Sequence, residues 1–221
     1  MKTENVTMNR RRFIAGTSRA ALLLLAGSYS FGISRAAALK DPQFLFLEAE
    51  AFADCGGWVV DQQSMDYMGS PYLLAHGLGI PVPDALTKVQ FPSAGTYRLW
   101  VRTRDWVAPW NAPGAPGKFQ VLINGEPVQE IFGTKDADWH WHDGGIVTVP
   151  SDASIALHDL TGFEGRCEAL LFCRDTEFKP VNDVKALDGF RRKLLGLPNE
   201  PDDGGEFDLV VVGGGLAGTC A

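Results

Sequence analysis

The chain has 221 residues, of which 45% are hydrophobic and 10% aromatic, and its formal net charge at neutral pH is −7. This composition excludes a disordered or fibrous chain and leaves room for one complete domain and part of another. Four cysteines are too few for a disulfide-based scaffold.

The N-terminal segment 1–38 has the organisation of an export signal. Three arginines at 10–12 precede a short apolar run, Ala20–Gly27, and three alanines follow at 36–38. A charged region, an apolar region and a small-residue cleavage site define a secretory signal. The stretch NRRRFIA resembles the twin-arginine signal of bacterial export, which implies the twin-arginine machinery as a partner of the precursor and a periplasmic or secreted mature protein. A general secretory signal or an N-terminal anchor is the alternative.

The charge of the mature protein limits its partners. Residues 1–38 hold six of the 20 basic and one of the 27 acidic side chains, so the remainder has a formal charge of −12. An acidic surface repels phosphate groups, so we expect the mature protein to bind neither nucleic acid nor membrane. Cys55 and Cys167 are either a disulfide pair or, as we favour, free buried thiols.

Residues 41–179 are predicted to form a domain of many short β-strands. Clusters of Gly, Pro, Asn and Asp separate apolar or alternating runs, which lie near residues 44–50, 86–91, 96–104, 118–125, 146–150, 153–160 and 167–175. Tyr97, Leu99 and Val101 alternate with Arg or Trp, which predicts one core face and one solvated or docked face. Asn124-Gly125 is a two-residue hairpin signal. This pattern predicts a mainly β fold, a β-sandwich or jelly roll.

Three stretches of this domain carry a resemblance to a known family. LEAEAF at 47–52, FPSAGTYRLWVRTR at 91–104 and VLING at 121–125 resemble the galactose-binding-like jelly rolls of carbohydrate-binding modules. The resemblance implies that the sandwich is an accessory or ligand-binding domain with a carbohydrate or other small molecule as its partner.

The same resemblance implies a structural calcium ion. In this family, acidic residues of the first strand and an Asp of the last strand commonly hold it. The matching residues here are Glu48, Glu50 and, in place of the Asp, Glu168. Carboxylate oxygens suit Ca²⁺. The alternative is that Glu48 and Glu50 are solvent-facing or hydrogen-bonded strand-edge residues.

Two polar, turn-rich segments contain four of the six tryptophans. These four are Trp106, Trp110, Trp139 and Trp141. Flat indole rings beside Asp, Asn and His can stack on a sugar while the polar neighbours bind its hydroxyl groups. Alternatively, the tryptophans pack against an adjoining domain or over the end of the sandwich, as large aromatic residues often do.

His140 and His142 share one face of an extended segment and could supply two metal ligands. No third ligand is identifiable, so we favour histidines that are exposed or that pair with Asp138 and Asp143. The sequence contains no convincing nucleophile and base pair, and the catalytic residues therefore stay unknown.

Residues 180–206 are predicted to be a linker helix followed by an acidic joint. Apolar side chains recur at helical spacing at Val184, Leu187, Phe190 and Leu194. Asn182 or Asp183 can cap the start of this helix, and Gly196 suits its end.

The segment 207–221 begins like a dinucleotide-binding unit. The apolar run Phe207–Val212 is typical of a buried parallel strand, and Gly213, Gly215 and Gly218 follow at the G-x-G-x-x-G spacing. These glycines permit a sharp turn, close approach of a pyrophosphate and tight packing of the next helix. We therefore expect the first β-turn-α of a truncated Rossmann-type α/β domain. Without its sheet, this segment should be frayed or docked opportunistically.

VVVGGGLAG also resembles the first motif of FAD-dependent oxidoreductases. The resemblance implies FAD as the cofactor, and the loop that would hold its pyrophosphate consists of Gly213, Gly214, Gly215, Leu216, Ala217 and Gly218. From this we expect a fragment of an exported FAD-dependent oxidoreductase. The alternative is a secreted, non-catalytic carbohydrate-binding module in which residues 207–221 are incidental.

Overall fold

The computed structural model describes residues 43–198, 200 and 203–211, and within these ranges eleven strands form a β-sandwich. The strands are β1 (Phe44–Glu48), β2 (Val59–Asp61), β3 (Tyr72–His76), β4 (Ala85–Gln90), β5 (Gly95–Thr103), β6 (Phe119–Ile123), β7 (Glu126–Pro127), β8 (His140–Val149), β9 (Asp152–Asp159), β10 (Phe163–Cys167) and β11 (Ala169–Cys173). The helices are the single-turn α1 (Met65–Met68), α2 (Val184–Leu195) and the 3₁₀ turns η1 (Ala49–Ala51) and η2 (Ala108–Trp110). The mainly β fold is confirmed.

Three antiparallel sheets build the sandwich. The first has the order β1-β11-β5-β8, the second β4-β9-β6-β7 and the third β10-β3-β2. β6 and β7 form the hairpin predicted at Asn124-Gly125, where both residues have positive φ.

The main core lies between the first sheet and the other two. Tyr97, Leu99 and Val101 of β5 are fully buried there, together with residues of β6 such as Phe119 and Val121. The alternation along β5 is therefore confirmed as a core face, because the period of two sends these side chains inward together.

α2 covers the opposite face of the first sheet. Leu187 and Leu194 are buried against Phe46, Trp100 and Trp141. The helix begins after Asp183, whose side chain accepts hydrogen bonds from the backbone N–H groups of residues 185 and 186, and ends at a glycine with φ of 65°. The predicted helix is thus present, and it packs on the sandwich because its apolar stripe matches this sheet face.

The described part of the C-terminal segment contains no strand. Phe207, Leu209 and Val210 are about two-thirds exposed, and residues 207–211 have no pairing partner among the described residues. This exposure agrees with the frayed state expected for the segment without its sheet, since a strand needs a neighbour to satisfy its backbone groups.

Three earlier predictions fall outside the described residues. These are the export signal at 1–38, the glycine loop at 213–218 and most of the Rossmann-type unit. No helix in the described ranges has the length and apolar character needed to cross a bilayer.

Candidate functional site

Three loops meet at one end of the sandwich. They are the segments 77–80 after β3, 104–118 after β5 and 160–163, which ends on the first residue of β10. β10 runs antiparallel to β3 with Phe163 opposite His76, which brings the first and third loops together. The backbone N–H groups of Gly77 and Gly79 both donate to the carbonyl of Gly162, at 3.0 and 3.2 Å.

The second loop presents two tryptophans. Trp110 ends the short η2 turn and is 70% exposed, and its ring meets that of Trp106 edge to face with centroids 6.2 Å apart. Trp106 is fixed to the third loop, because its indole N–H donates to the carbonyl of Phe163 at 3.0 Å. Trp106 and Trp110 are thus the two predicted platform tryptophans that lie together in this loop, and their role in binding stays a prediction.

Apolar side chains of the other loops extend this surface. Leu78, Ile80 and Phe163 are each about half exposed or more. A Cβ placed on Gly79 would lie 3.1 Å from the Phe163 ring, so the ring rests on the backbone of the first loop. We call Leu78, Ile80, Trp106, Trp110 and Phe163 the apolar loop patch.

The polar side chains of Glu164, Arg166 and His76 border the patch. The Arg166 guanidinium lies over the Trp106 ring, 5.2 Å from its centroid, and Nη2 donates to Glu164 Oε2 at 3.0 Å. His76 Nδ1 lies 3.0 Å from Glu164 Oε1. Ring, guanidinium, carboxylate and imidazole thus form one continuous chain of contacts.

Glu164 adopts an unusual backbone conformation. Its φ is 61°, and the register between β10 and β3 shifts between Phe163 and Gly165, which marks a bulge. Left-handed φ is uncommon for a residue with a Cβ and needs support from its surroundings. Support comes from Arg166, which donates to both the carbonyl and the carboxylate of Glu164.

A buried aspartate holds the loops in shape. The carboxylate of Asp159 accepts hydrogen bonds from the backbone N–H groups of Val82, Thr161 and Gly162, at 2.9 to 3.1 Å. Three N–H groups on one carboxylate satisfy its charge without a cation. The loops below the patch are therefore fixed before any ligand arrives.

The other two predicted platform tryptophans are placed elsewhere. Trp139 is buried against Tyr72, with centroids 5.0 Å apart. Trp141 is buried beneath α2, and its indole N–H donates to the carbonyl of Val181 at 3.0 Å. Their rings are covered by protein, so neither offers a face for stacking.

The three predicted calcium ligands lie close to one another, and two of them, Glu48 and Glu168, already have partners within the protein. Glu48 accepts two hydrogen bonds from Arg191. Glu168 is buried, accepts a hydrogen bond from the Ser70 hydroxyl at 2.9 Å and lies 3.5 Å from Arg102 Nε. Glu50 Oε2 is buried without a hydrogen-bond partner.

The protonation of these carboxyl groups reflects their burial. Desolvation, with smaller contributions from the charges of Glu48 and Glu168, raises the pKa of Glu50 to about 8. Desolvation likewise raises the pKa of Glu168 to about 7, opposed by Arg102 and Ser70. Within the described ranges, no group of three His, Cys, Asp or Glu side chains is arranged to hold a metal ion. As arranged, these residues do not fit calcium.

The two histidines of β8 are placed in a polar cluster rather than on an open face. His142 is buried, with Nε2 2.7 Å from Glu130 Oε1 and 3.0 Å from Lys135 Nζ. The ring of His140 stacks on it at 5.7 Å, and His140 Nε2 lies 3.6 Å from an Asp136 oxygen. We expected these histidines to be exposed or to pair with Asp138 and Asp143. His140 Nδ1 lies 3.2 Å from the backbone carbonyl of Asp138, whereas the carboxylate of Asp143 binds Arg98.

Cys55 and Cys167 are both unbridged thiols, of which Cys167 is buried and Cys55 is partly buried. Burial raises the pKa of both, most strongly for Cys167, so neither is an activated nucleophile.

Comparisons with known proteins give structural matches only. No protein-family model and no curated protein matches the chain. The solved structures that resemble it include carbohydrate-binding modules. One is a family 35 carbohydrate-binding module from Clostridium thermocellum, with 17% identity over 58% of this chain and 96% of that module, at a TM-score of 0.42. Another is the C-terminal family 6 module of a marine laminarinase from Zobellia galactanivorans, with 16% identity over 59% of this chain and 99% of that one, at a TM-score of 0.44.

A third match is a larger enzyme. The Podospora anserina β-(1,4)-mannanase, which combines a family 26 glycoside hydrolase with a family 35 module, matches with 14% identity and a TM-score of 0.46. The match covers 63% of this chain and 29% of the mannanase.

The predicted FAD-dependent oxidoreductase is corrected on these findings. None of the three structures is an oxidoreductase, and two of them are carbohydrate-binding modules by themselves. The glycine loop at 213–218 lies outside the described residues, so it stays a prediction.

Proposed function

We propose that this protein is a non-catalytic carbohydrate-binding module whose ligand rests on the apolar loop patch. The observation that carries the proposal is the exposed indole of Trp110, held edge to face against Trp106 at the rim of the sandwich. A sugar ring has a face of C–H groups, and burying it on a flat aromatic side chain removes apolar surface from water.

The polar residues that border the patch favour a sugar as the ligand over a purely apolar molecule. Glu164 offers carboxylate acceptors, Arg166 offers guanidinium donors, and His76 offers either role according to its tautomer. Sugar hydroxyl groups both donate and accept, so they need this mixture beside an aromatic face. Binding sites of this kind combine an apolar lining with a few fixed polar groups.

The site is rigid before binding, which also favours ligand recognition. Trp106 is fixed by its hydrogen bond to the carbonyl of Phe163 and by Arg166 on its face. Asp159 fixes the third loop beneath them. A fixed platform loses little conformational entropy on binding.

Affinity electrophoresis through gels that contain soluble polysaccharide tests the proposal. The panel should contain β-mannan, laminarin, xylan and polygalacturonate, so that neutral and acidic chains are both represented. We expect at least one polysaccharide to retard the wild-type protein. Trp110→Ala should weaken that binding by roughly 10- to 30-fold, the loss expected for an aromatic residue at the centre of a binding site.

Tyr67→Ala is the matched control. Tyr67 is an exposed aromatic residue that precedes the start of β3, whereas Leu78 of the patch follows its end. This variant should bind like the wild type. If no polysaccharide retards the protein, or if both variants lose affinity equally, the proposed function is wrong.

We further propose that the protein works outside the cytoplasm, on the support of the signal in residues 1–38. A reporter fused behind this segment should be exported. Replacing the arginines at 10–12 with lysine should block export through the twin-arginine pathway, whereas a general secretory signal would tolerate the change. Unchanged export of the lysine variant would assign the segment to the general pathway.

A further inference from the structure

Three carboxylates converge where β1 ends and β11 begins. Glu48 closes β1 opposite Ala169, and the backbone N–H of Ala49 donates to the carbonyl of Glu168 at 2.8 Å. Glu50 lies in η1 directly after β1, with one oxygen buried and without a hydrogen-bond partner. Any negative charge on these carboxyl groups needs compensation in such partly buried surroundings.

Two guanidinium groups supply positive charge at this point. Arg191 of α2 donates from Nε to Glu48 Oε1 at 2.8 Å and from Nη2 to the same oxygen. Its Nη1 lies against the end of α1, where a Cβ on Gly69 would be 3.1 Å away. Arg102 of β5 approaches Glu168 from the other side.

Arg102 and Arg191 differ in the structural element that supplies their charge. Arg102 belongs to the sheet beside β11, so its charge is present however the rest of the chain is arranged. Arg191 comes from a helix that is 143 residues distant from Glu48 in the sequence. Its charge reaches the cluster only when α2 is docked.

We infer that Arg191 takes the place of a bound divalent cation at the Glu48, Glu50 and Glu168 cluster, so that the docked helix α2 carries the positive charge that this part of the sandwich needs. A guanidinium suits this role because it is always charged and its planar donors match carboxylate oxygens. The apolar contacts of Leu187 and Leu194 hold the helix, and with it Arg191, in position.

The wild-type protein provides the first test, since it needs no substitution. We expect its melting temperature to be the same within about 1 °C in EDTA and in about 5 mM Ca²⁺, a concentration that saturates many extracellular calcium sites. Metal analysis should find less than stoichiometric calcium. A melting temperature that rises by roughly 3 °C or more in Ca²⁺, as ligand binding to the native state requires, would overturn the inference.

Arg191→Gln provides the second test. Without the guanidinium, the carboxylates lose a partner, and the melting temperature in EDTA should fall by roughly 5–10 °C. Added Ca²⁺ should then restore part of this loss, because the cluster is left open to a cation. If the variant does not fold in EDTA, recovery of folded protein in Ca²⁺ supplies the same answer, and Arg191→Lys should be milder than Arg191→Gln.

Arg192→Gln is the control on the same helix, since Arg192 forms its ion pair with Asp188 within α2. We expect a small change in melting temperature and no response to Ca²⁺. Equal behaviour of the Arg191 and Arg192 variants would overturn the inference. These measurements follow unfolding, so their outcome does not depend on whether the protein binds sugar.

Discussion

Asp143 of β8 binds the guanidinium of Arg98 on β5 beside a bulge in the first sheet. Arg98 Nε donates to Asp143 Oδ1 at 3.1 Å, and Nη2 donates to Oδ2. Oδ1 also accepts the backbone N–H of Gly145 at 2.9 Å, and Arg98 Nη1 reaches the carbonyl of Thr176 at 2.6 Å. One ion pair therefore joins β5, the bulge and the segment that leads to α2.

Asp143→Asn should lower the free energy of unfolding by about 1–2 kcal/mol, because it removes the charge from a hydrogen-bonded pair while keeping the shape. The Arg98 hydrogen bonds lower the pKa of Asp143 below its usual value. This stabilisation is therefore present above pH ~4 and is lost as the pH falls through the lowered pKa. Urea unfolding at pH 7 and pH 3 measures it. Asp188→Asn, in an exposed helix pair, should change stability at neither pH.

His142 should make the protein less stable in mild acid. Burial lowers the pKa of its imidazole; Glu130 opposes this shift, and Lys135 and His140 add to it. Because the folded pKa lies below the unfolded value of about 6.5, the unfolded chain takes up the proton first as the pH falls. The free energy of unfolding should then decrease from about pH 6.5 downward, by at most about 1.4 kcal/mol per pH unit.

Urea unfolding at several pH values between 7.5 and 5, for the wild type and His142→Gln, isolates this effect. The raised pKa values of Glu50 and Glu168 give a slope of opposite sign over the same range, but they are common to both proteins. The variant should lack the His142 contribution, so the difference in stability between the two proteins should change with pH. A constant difference would assign the acid sensitivity to other groups.

Leu187→Ala should show that α2 is part of the sandwich domain. Leu187 is buried against the first sheet, so its truncation should cost about 2–4 kcal/mol of unfolding free energy. Val184→Ala, at a half-exposed position one turn earlier, should cost less than about 1 kcal/mol. Urea unfolding followed by tryptophan fluorescence is suited to both, because Trp100 and Trp141 lie beneath the helix. Equal small losses would mean that the helix is not docked in solution.

Local patterns in the sequence predicted the local structure well. The alternation of Tyr97, Leu99 and Val101 is a property of five consecutive residues, and the cap at Asp183 involves only its near neighbours. The alternation depends on the two-residue period of a strand, and the cap depends on one side chain. Each can therefore be predicted from a short segment of sequence alone.

Strands without alternation were missed for a related reason. β3 is the short buried run Tyr72–His76, and β10 contains a glycine and a bulge at Glu164. Buried runs of this length do not distinguish a strand from other structures. The bulge is visible only in the pairing with β3.

The remaining features of the candidate site depend on contacts between residues far apart in the sequence. The pairing of Glu48 with Arg191 and the burial of Trp141 under α2 both join residues far apart in the chain. A tryptophan in a polar segment gives no local sign of whether a distant helix will cover it. The sequence therefore identified Trp106 and Trp110 as candidates but could not separate them from Trp139 and Trp141.

Gly162 should be required for the shape of the loops beneath the apolar loop patch. Its φ is 69°, and an added Cβ would lie 2.2 Å from the carbonyl oxygen of Ile80, so Gly162→Ala combines backbone strain with a backbone collision. Gly114 also has a positive φ, 95°, but an added Cβ there meets nothing within 4 Å. Gly114→Ala should therefore cost about 1 kcal/mol of unfolding free energy, and Gly162→Ala roughly 3 kcal/mol or more. Urea unfolding of the two variants separates collision from strain, and equal losses would show that the loops yield to the added methyl group.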